Sequence, residues 1–290
     1  MTGPTGPIEA PAASFKGERR RRVDLSDLVP RVLSGIVLVG VAAGTALAGG
    51  PSFALLWWLA ALAIHWEWQR LLCAGRDAGR LIAGAAAITI AVLANLSGHD
   101  VWTLPVLIAG ALATGLLGRN LPLTSGAGVV YAGLLPLALL NLRNSDSRGL
   151  EAVLWLFAVV WGTDIMAYFG GRLIGGPKLW RRVSPSKTWS GFLVGIGSGS
   201  LAGLAVSTGW GAHWPLLPLG LLAGIVAQAG DLFESSLKRR FGVKDSSWLI
   251  PGHGGVMDRL DGFLAAAVFG AGFGLLREGV HASAAGLMTW

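Results

Sequence analysis

Two short groups of acids near the C-terminal end of the chain have the spacing of metal-binding residues. Asp231, Glu234 and Lys238 recur at intervals of three or four, so they share one helix face, and Asp258 and Asp261 share another. Hard cations such as Mg²⁺ are usually held by one or two carboxylates together with substrate phosphates. The pattern predicts a Mg²⁺ site between Asp231 and Asp258. Two alternatives stay open: Asp258 could cap a helix, and Glu234 could form an ordinary ion pair with Lys238.

Basic residues in two nearby segments fit the same chemistry. Residues 172–187 read RLIGGPKLWRRVSPSK, and residues 238–244 read KRRFGVK. Cations beside carboxylates neutralise the charge that develops on phosphates during group transfer. A tight turn, PGHGG at 251–255, follows the second segment, and glycine amides before a helix can face a phosphate. The segments therefore predict a nucleoside triphosphate site, although inner loops also collect Lys and Arg for topology alone.

The amino-acid composition indicates whether these residues belong to a soluble or to a membrane protein. Hydrophobic residues make up 53% of the 290 positions, charged residues 13%, and the mean hydropathy is +0.59. A soluble domain would have about twice that charged fraction. The net charge of +7 lies between long uncharged windows, so no nucleic-acid partner is expected. The chain is predicted to be an all-α, polytopic integral membrane protein.

The charge-free windows predict about nine transmembrane helices. A span needs about 20 apolar residues, so two long windows each hold two helices. The predicted spans are 32–48, 52–68, 81–98, 101–118, 121–142, 150–171, 189–208, 214–237 and 259–277. Four tryptophans of the second span are predicted to form an interfacial belt: Trp57, Trp58, Trp66 and Trp68. His65 and Glu67 extend this span into the interface and receive no role.

The distribution of basic residues predicts a cytoplasmic N-terminus. With that orientation all but three of the 23 Lys and Arg lie inside, the exceptions being Arg143, Arg148 and Arg277. Residues 1–28 are predicted to be a disordered basic cytoplasmic arm, 29–148 N-terminal transmembrane helices, and 149–290 a C-terminal transmembrane catalytic region. A cleavable signal peptide after the arginines at 20–22 is the alternative, but the long polar arm and the immediate second span weigh against it.

The segment from Ser235 to Asp261 resembles the signature of phosphatidate cytidylyltransferases, also called CDP-diacylglycerol synthases. It reads Ser235-x-Leu237-Lys238-Arg239-x₄-Lys244-Asp245, then Pro251-x-His253-Gly254-Gly255-x-x-Asp258-Arg259-x-Asp261. Upstream, Gln228-x-Gly230-Asp231, Trp161-x-x-Asp164 and Ser184-Pro185-x-Lys187-Thr188 also resemble the family. The resemblance covers about 161–262. Two positions depart from the family pattern: Ser190 stands where an acid is usual, and Ile165-Met166 replace a Thr-Gly pair.

The resemblance implies an Mg²⁺-dependent nucleotidyltransferase of phospholipid biosynthesis, which converts CTP and phosphatidic acid to CDP-diacylglycerol and pyrophosphate. It implies that Asp231 and Asp258 hold the metal, and a second cation and a homodimer stay open. The expected catalytic residues are Asp231, Asp258, Asp261, Lys238, Lys244 and Arg259. The expected substrate-binding residues are Asp164, Ser184, Ser186, Lys187, Arg239, His253, Gly254 and Gly255. The expected setting is a bacterial-type inner (plasma) membrane, with membrane lipids as partners and the site on the cytoplasmic side.

Two other functions compete with this hypothesis. A CDP-alcohol phosphotransferase is suggested by Asp258-x-x-Asp261-Gly262, but the further acids that it needs downstream are missing, since only Glu278 follows. A membrane transporter or cation channel would use intramembrane acids as an ion path. It predicts polar residues near the middle of several spans, whereas these acids cluster near predicted cytoplasmic ends.

Overall fold

The computed structural model describes residues 25–73, 77–118, 121–144, 147–211, 213–250 and 254–290. Within these ranges the chain forms ten α-helices and one β-hairpin. The helices are α1 (Leu25–Ala48), α2 (Gly50–Cys73), α3 (Ala78–Leu96), α4 (Thr103–Leu117), α5 (Pro122–Asn144), α6 (Gly149–Leu173), α7 (Trp189–Ser207), α8 (Leu216–Arg240), α9 (Met257–Glu278) and α10 (Ser283–Met288). The strands are β1 (Lys178–Trp180) and β2 (Ser184–Thr188). Most of the predicted basic arm, residues 1–24, lies outside the described residues.

Seven helices in the described ranges are long and apolar enough to cross a membrane. They are α3 to α9, which coincide with seven of the predicted spans. The other two predicted spans, 32–48 and 52–68, fall in α1 and α2. The apolar part of α1, Leu33–Ala48, is shorter, and α2 ends in a polar stretch. The prediction of an all-α multi-pass membrane protein is confirmed, whereas the count of nine and the cytoplasmic N-terminus stay predictions.

A short hairpin stands where the sequence predicted only a loop between α6 and α7. Strands β1 and β2 pair antiparallel, with Lys178 opposite Thr188 and Trp180 opposite Ser184. The hydroxyl of Thr188 then caps α7 by accepting a hydrogen bond from the Gly191 amide at 3.1 Å. Because the hairpin ends directly in this cap, the position of Lys187 is fixed relative to α7.

Glycines at every fourth position of α7 bring its backbone against that of α6. A methyl group added at any of three of them would lie 2.5–2.7 Å from a carbonyl oxygen of α6. The pairs are Gly191 with Ala167, Gly195 with Thr163 and Gly199 with Val159. Membrane helices gain their packing energy from such close approach, since lipid tails are as apolar as the helices themselves.

A pair of glycines lies at the crossing of α8 and α9. A methyl group at Gly230 would lie 2.8 Å from the carbonyl oxygen of Asp261, and one at Gly262 would lie 2.8 Å from that of Ala227. Each glycine is the chain neighbour of an acid, Asp231 or Asp261. The close crossing therefore brings these two carboxylates near enough to interact electrostatically.

The predicted interfacial belt is wrong for Trp57 and Trp68, which are both buried. The Trp57 ring stacks on Phe263 with centroids 5.3 Å apart, and the Phe157 ring lies 6.3 Å from that of Trp57. The Trp68 indole donates to the Thr124 carbonyl at 2.8 Å. Helix α2 packs against α3, α5 and α9, so its tryptophans join the interior.

Candidate active site

A cavity of about 1080 Å³ lies where α1, α2, α6, α7, α8, α9 and the hairpin meet. Eight predicted site residues line it: Asp164, Ser186, Lys187, Asp231, Lys238, Asp258, Arg259 and Asp261. Much of the remaining wall is apolar and includes Leu38 and Val39 of α1, Leu56 and Trp57 of α2, and Phe263 of α9. One continuous cavity thus joins a charged part to an apolar part.

The amine of Lys187 connects the hairpin to α6 and α8. Its Nζ lies 2.6 Å from Asp231 Oδ2 and donates to Gln228 Oε1 at 2.8 Å. The Gln228 amide in turn donates to Asp164 Oδ1 at 3.3 Å. This chain of contacts holds a cation over acids from two helices, which is the arrangement expected at a phosphate-binding site.

Lys238 makes the corresponding connection between α8 and α9. Its Nζ lies 2.6 Å from Glu234 Oε2 and 2.7 Å from Asp258 Oδ1. The ion pair between Glu234 and Lys238 that the helical spacing allowed is therefore present. The same amine also reaches Asp258, so this pair belongs to the site rather than to the protein surface.

Asp258 is oriented by backbone amides as well as by Lys238. Both of its oxygens accept from the Ser246 amide, at 3.1 and 3.0 Å, and Oδ2 accepts from the Gly255 amide at 2.8 Å. Gly254 has a φ of +88°, which favours glycine, and its backbone pairs with that of Ile250. This turn explains why the motif needs glycine beside Asp258. The carboxylate lies in the first turn of α9, where the helix dipole favours it, but its amide donors precede the helix, so it does not cap the free amides of α9 as the alternative proposed.

Glu67, to which no role could be assigned from the sequence, also lies in the site region. It is fully buried, yet its two oxygens accept four hydrogen bonds. The donors are Ser247 Oγ at 2.5 Å, Met257 N at 2.6 Å, Val256 N at 2.8 Å and Ser246 Oγ at 3.2 Å. An acid inside an apolar span is expensive unless it is used, and this signal was visible in the sequence.

The acids of the cavity form a loose group rather than a closed cage. The Asp231 carboxylate interacts electrostatically with both Asp164 and Asp261, while Lys187 and Arg259 oppose the negative charge at Asp164. Among the described side chains, no three acids, histidines or cysteines converge into a ready-made metal cage. Mg²⁺ sites typically combine one or two carboxylates with substrate phosphates. The donor set therefore fits a cation that the nucleotide helps to hold.

Five predicted site residues do not line the cavity. Ser184 lies at the start of β2, and Gly254 and Gly255 lie in the turn that holds Asp258. The Arg239 guanidinium donates to the Val243 carbonyl at 3.1 Å, and Lys244 is exposed. His253 lies outside the described residues. Direct substrate contact by these five residues and by His253 stays a prediction.

The two departures from the family pattern have local explanations. The Ser190 hydroxyl donates to the Gly175 carbonyl and lies 3.0 Å from Thr188 Oγ1. It therefore ties the beginning of the hairpin segment to α7 without a charge. Ile165 and Met166 are exposed on α6. The change at these two positions therefore leaves the wall around Asp164 intact.

Comparison with known proteins agrees with this geometry. The sequence profile of the cytidylyltransferase family matches residues 29–275. A phosphatidate cytidylyltransferase of Brucella abortus biovar 1 (strain 9-941) is 42% identical over 264 residues, which are 86% of this chain and 95% of the relative. One of Staphylococcus epidermidis is 42% identical over 139 residues, 47% of this chain and 52% of the relative. The chain is a nucleotidyltransferase and belongs to the cytidylyltransferase family.

Proposed function

We propose that the protein is an Mg²⁺-dependent phosphatidate cytidylyltransferase of phospholipid biosynthesis. It would convert CTP and phosphatidic acid to CDP-diacylglycerol and pyrophosphate, with its site at the cytoplasmic face of a bacterial inner membrane. The relatives' names support the substrates. The distribution of basic residues supports the orientation.

The observation that carries the proposal is the two-sided cavity. Lys187, Lys238 and Arg259 supply cations at its charged part, while residues such as Leu38 and Trp57 make an apolar wall. Phosphatidic acid has the same division, since a phosphate is joined to two acyl chains. A cavity for a soluble nucleotide alone would not need the apolar wall contributed by α1 and α2.

Asp231 and Asp258 are the residues that we propose to hold Mg²⁺, with Asp261 as a third acid. Each of the first two already pairs with an ammonium group, at 2.6 Å from Lys187 and 2.7 Å from Lys238. Because these ammonium groups already balance the two charges, the support for Mg²⁺ is the carboxylate oxygens themselves, which are the ligands that this cation prefers. When bound, Mg²⁺ would neutralise phosphate oxygens of CTP and polarise the phosphorus that is attacked.

The reaction needs no activated serine or cysteine, because the phosphate of phosphatidic acid is itself a nucleophile. One of its oxygens would attack the α-phosphorus of CTP in line with the departing pyrophosphate. A new P–O bond forms, and the bond between the α-phosphorus and the bridging oxygen breaks. Lys187, Lys238 and Arg259 hold the two polyanions together, and the apolar wall keeps the lipid oriented.

Reconstitution in lipid vesicles tests this function. Purified protein in vesicles containing phosphatidic acid is given CTP and Mg²⁺, and both pyrophosphate and CDP-diacylglycerol are measured. We expect the two products in equal amounts, with neither formed when CTP or Mg²⁺ is omitted. If neither product forms and the vesicles instead conduct cations, the transporter or channel alternative is correct.

A further inference from the structure

Glu67 lies at the junction between the N-terminal helices and the segment that carries the signature motif. It belongs to α2, and its four hydrogen-bond donors are 179 to 190 positions later in the chain. Glu67 is not part of the cavity wall. It therefore influences the chemistry only through the residues that it holds.

The same residues hold Glu67 and Asp258. Ser246 donates its hydroxyl to Glu67 and its backbone amide to Asp258. Gly255 donates its amide to Asp258, and a methyl group on its Cα would lie 1.9 Å from Ser246 Oγ and 2.5 Å from Glu67 Oε1. The second glycine of the motif thus leaves room for the contact between Ser246 and Glu67. A displacement of the Glu67 carboxylate would therefore also move Ser246 and Gly255, whose amides orient Asp258.

Glu67 also completes the beginning of α9. Two of its donors, the amides of Val256 and Met257, are at the N-terminal end of this helix, where no preceding turn supplies acceptors. A carboxylate at this position is favoured by the helix dipole as well. The side chain therefore holds both Ser246 and Ser247 and the first turn of the helix that bears Asp258, Arg259 and Asp261.

We infer that Glu67 is a positioning residue for nucleotidyl transfer: it holds Ser246, Ser247 and the start of α9 so that Asp258 meets Lys238. This inference rests on the proposed function, and it assigns a task in the reaction to α2, which lies outside the signature motif. Because Glu67 touches no substrate, its loss is expected to lower kcat while leaving the KM for CTP nearly unchanged.

The matched pair of variants is Glu67→Gln and Gln69→Leu. Glutamine keeps the size of Glu67 but turns an N–H group toward a backbone N–H donor, so at least one bond is lost. Gln69 is a buried polar residue of the same helix, but its amide donates to the Ser125 carbonyl at 2.8 Å instead. We expect Glu67→Gln to lower kcat about 10- to 100-fold, the usual effect of losing an orienting partner. Gln69→Leu should stay within about threefold of wild type in kcat.

Limited trypsin digestion gives a readout that is independent of turnover. Lys244 is exposed in the segment joining α8 to α9, whereas Arg181 and Arg182 are exposed in the hairpin. In Glu67→Gln we expect cleavage after Lys244 to accelerate while hairpin cleavage keeps its wild-type rate. Ser247→Ala, which removes one donor and no charge, should change both readouts in the same direction but less.

The outcomes separate the inference from the function on which it rests. Unchanged kcat and unchanged cleavage after Lys244 in Glu67→Gln would overturn the inference. So would a loss of kcat with faster cleavage at both segments and an equal loss in Gln69→Leu, because that pattern means general loosening. If the wild-type protein shows no turnover, the proposed function is wrong. The rate of cleavage after Lys244 in Glu67→Gln still tests whether Glu67 holds this segment in place.

Discussion

The amine of Lys238 lies between two acids, Glu234 and Asp258, and all three side chains are largely shielded from solvent. Removing one member of a buried ion pair leaves an uncompensated charge, which typically costs ~3–5 kcal/mol. We therefore expect Lys238→Met to lower the free energy of unfolding by about this amount, measured by denaturant unfolding in detergent. A loss below ~1 kcal/mol would mean that the pair behaves like a surface one.

A double variant separates the structural from the chemical contribution of Lys238. Lys238→Met combined with Glu234→Gln removes one charge of each sign, so the unfolding free energy should recover in part. Turnover should not recover, because the amine that faces Asp258 and the cavity is still missing. Recovery of both quantities would show that Lys238 has no role on the substrate phosphates.

Substitution by amides of the same size tests whether the charges of the cavity acids are needed for the reaction. Asp231→Asn and Asp258→Asn each remove a negative charge with little change in size. We expect the rate of pyrophosphate release to fall more than tenfold in each, a barrier increase above ~1.4 kcal/mol. Asp245→Asn is the control, since Asp245 is exposed in the same segment and does not line the cavity. Rates within about tenfold of wild type for both cavity variants would contradict a metal-binding role.

At the residue scale, helical spacing grouped Asp231 with Lys238 and Asp258 with Asp261, and these four side chains line one cavity. It could not predict that Lys238 bridges two helices, because spacing along α8 says nothing about which helix lies opposite. The acid at position 67 was visible as a signal, but its partners could not be predicted from the sequence. Its donors are Ser246, Ser247, Val256 and Met257, and no local pattern connects α2 with these residues.

At the scale of elements, the approach of α6 and α7 depends on which face of α7 carries glycine. A methyl group at Gly199 would lie 2.5 Å from the Val159 carbonyl oxygen, whereas one at Gly197 would have no neighbour within 4 Å. We expect Gly199→Ala to destabilise the protein by ~1–3 kcal/mol through overpacking. Gly197→Ala should be neutral or slightly stabilising, because alanine is the better helix former. Thermal unfolding in detergent measures the stability of both variants. Equal effects would contradict the close packing of the α7 glycines against α6.

Charge-free windows predicted the helices well because a membrane span needs a long apolar run. They could not predict the hairpin, because residues 178–188 are too few and too polar to give a periodic signal. The predicted interfacial position was also wrong for Trp57 and Trp68 of α2. An amphipathic ring fits a membrane interface and a protein interior equally well, so only the packing of α2 against α3, α5 and α9 decides between them.

At the scale of the whole molecule, the two exposed basic segments should lie on the same side of the membrane. Trypsin added to inside-out vesicles is expected to cleave after Arg181, Arg182 and Lys244, since all three are exposed. Right-side-out vesicles should protect these sites, because the excess of Lys and Arg marks the cytoplasmic side. Cleavage in right-side-out vesicles would reverse the proposed orientation.

The contact between Glu67 and the segment 246–257 also has a consequence for how the protein is made. Synthesis proceeds from the N-terminus, so α2 enters the bilayer 179 to 190 residues before the donors of Glu67 exist. At typical translation rates that interval is on the order of 10–40 s. Until α9 arrives, the nascent chain carries an acid without the hydrogen bonds of the finished fold. A chain that stops before α9 would therefore keep an acid at the end of α2 without these donors, which is energetically costly in a membrane.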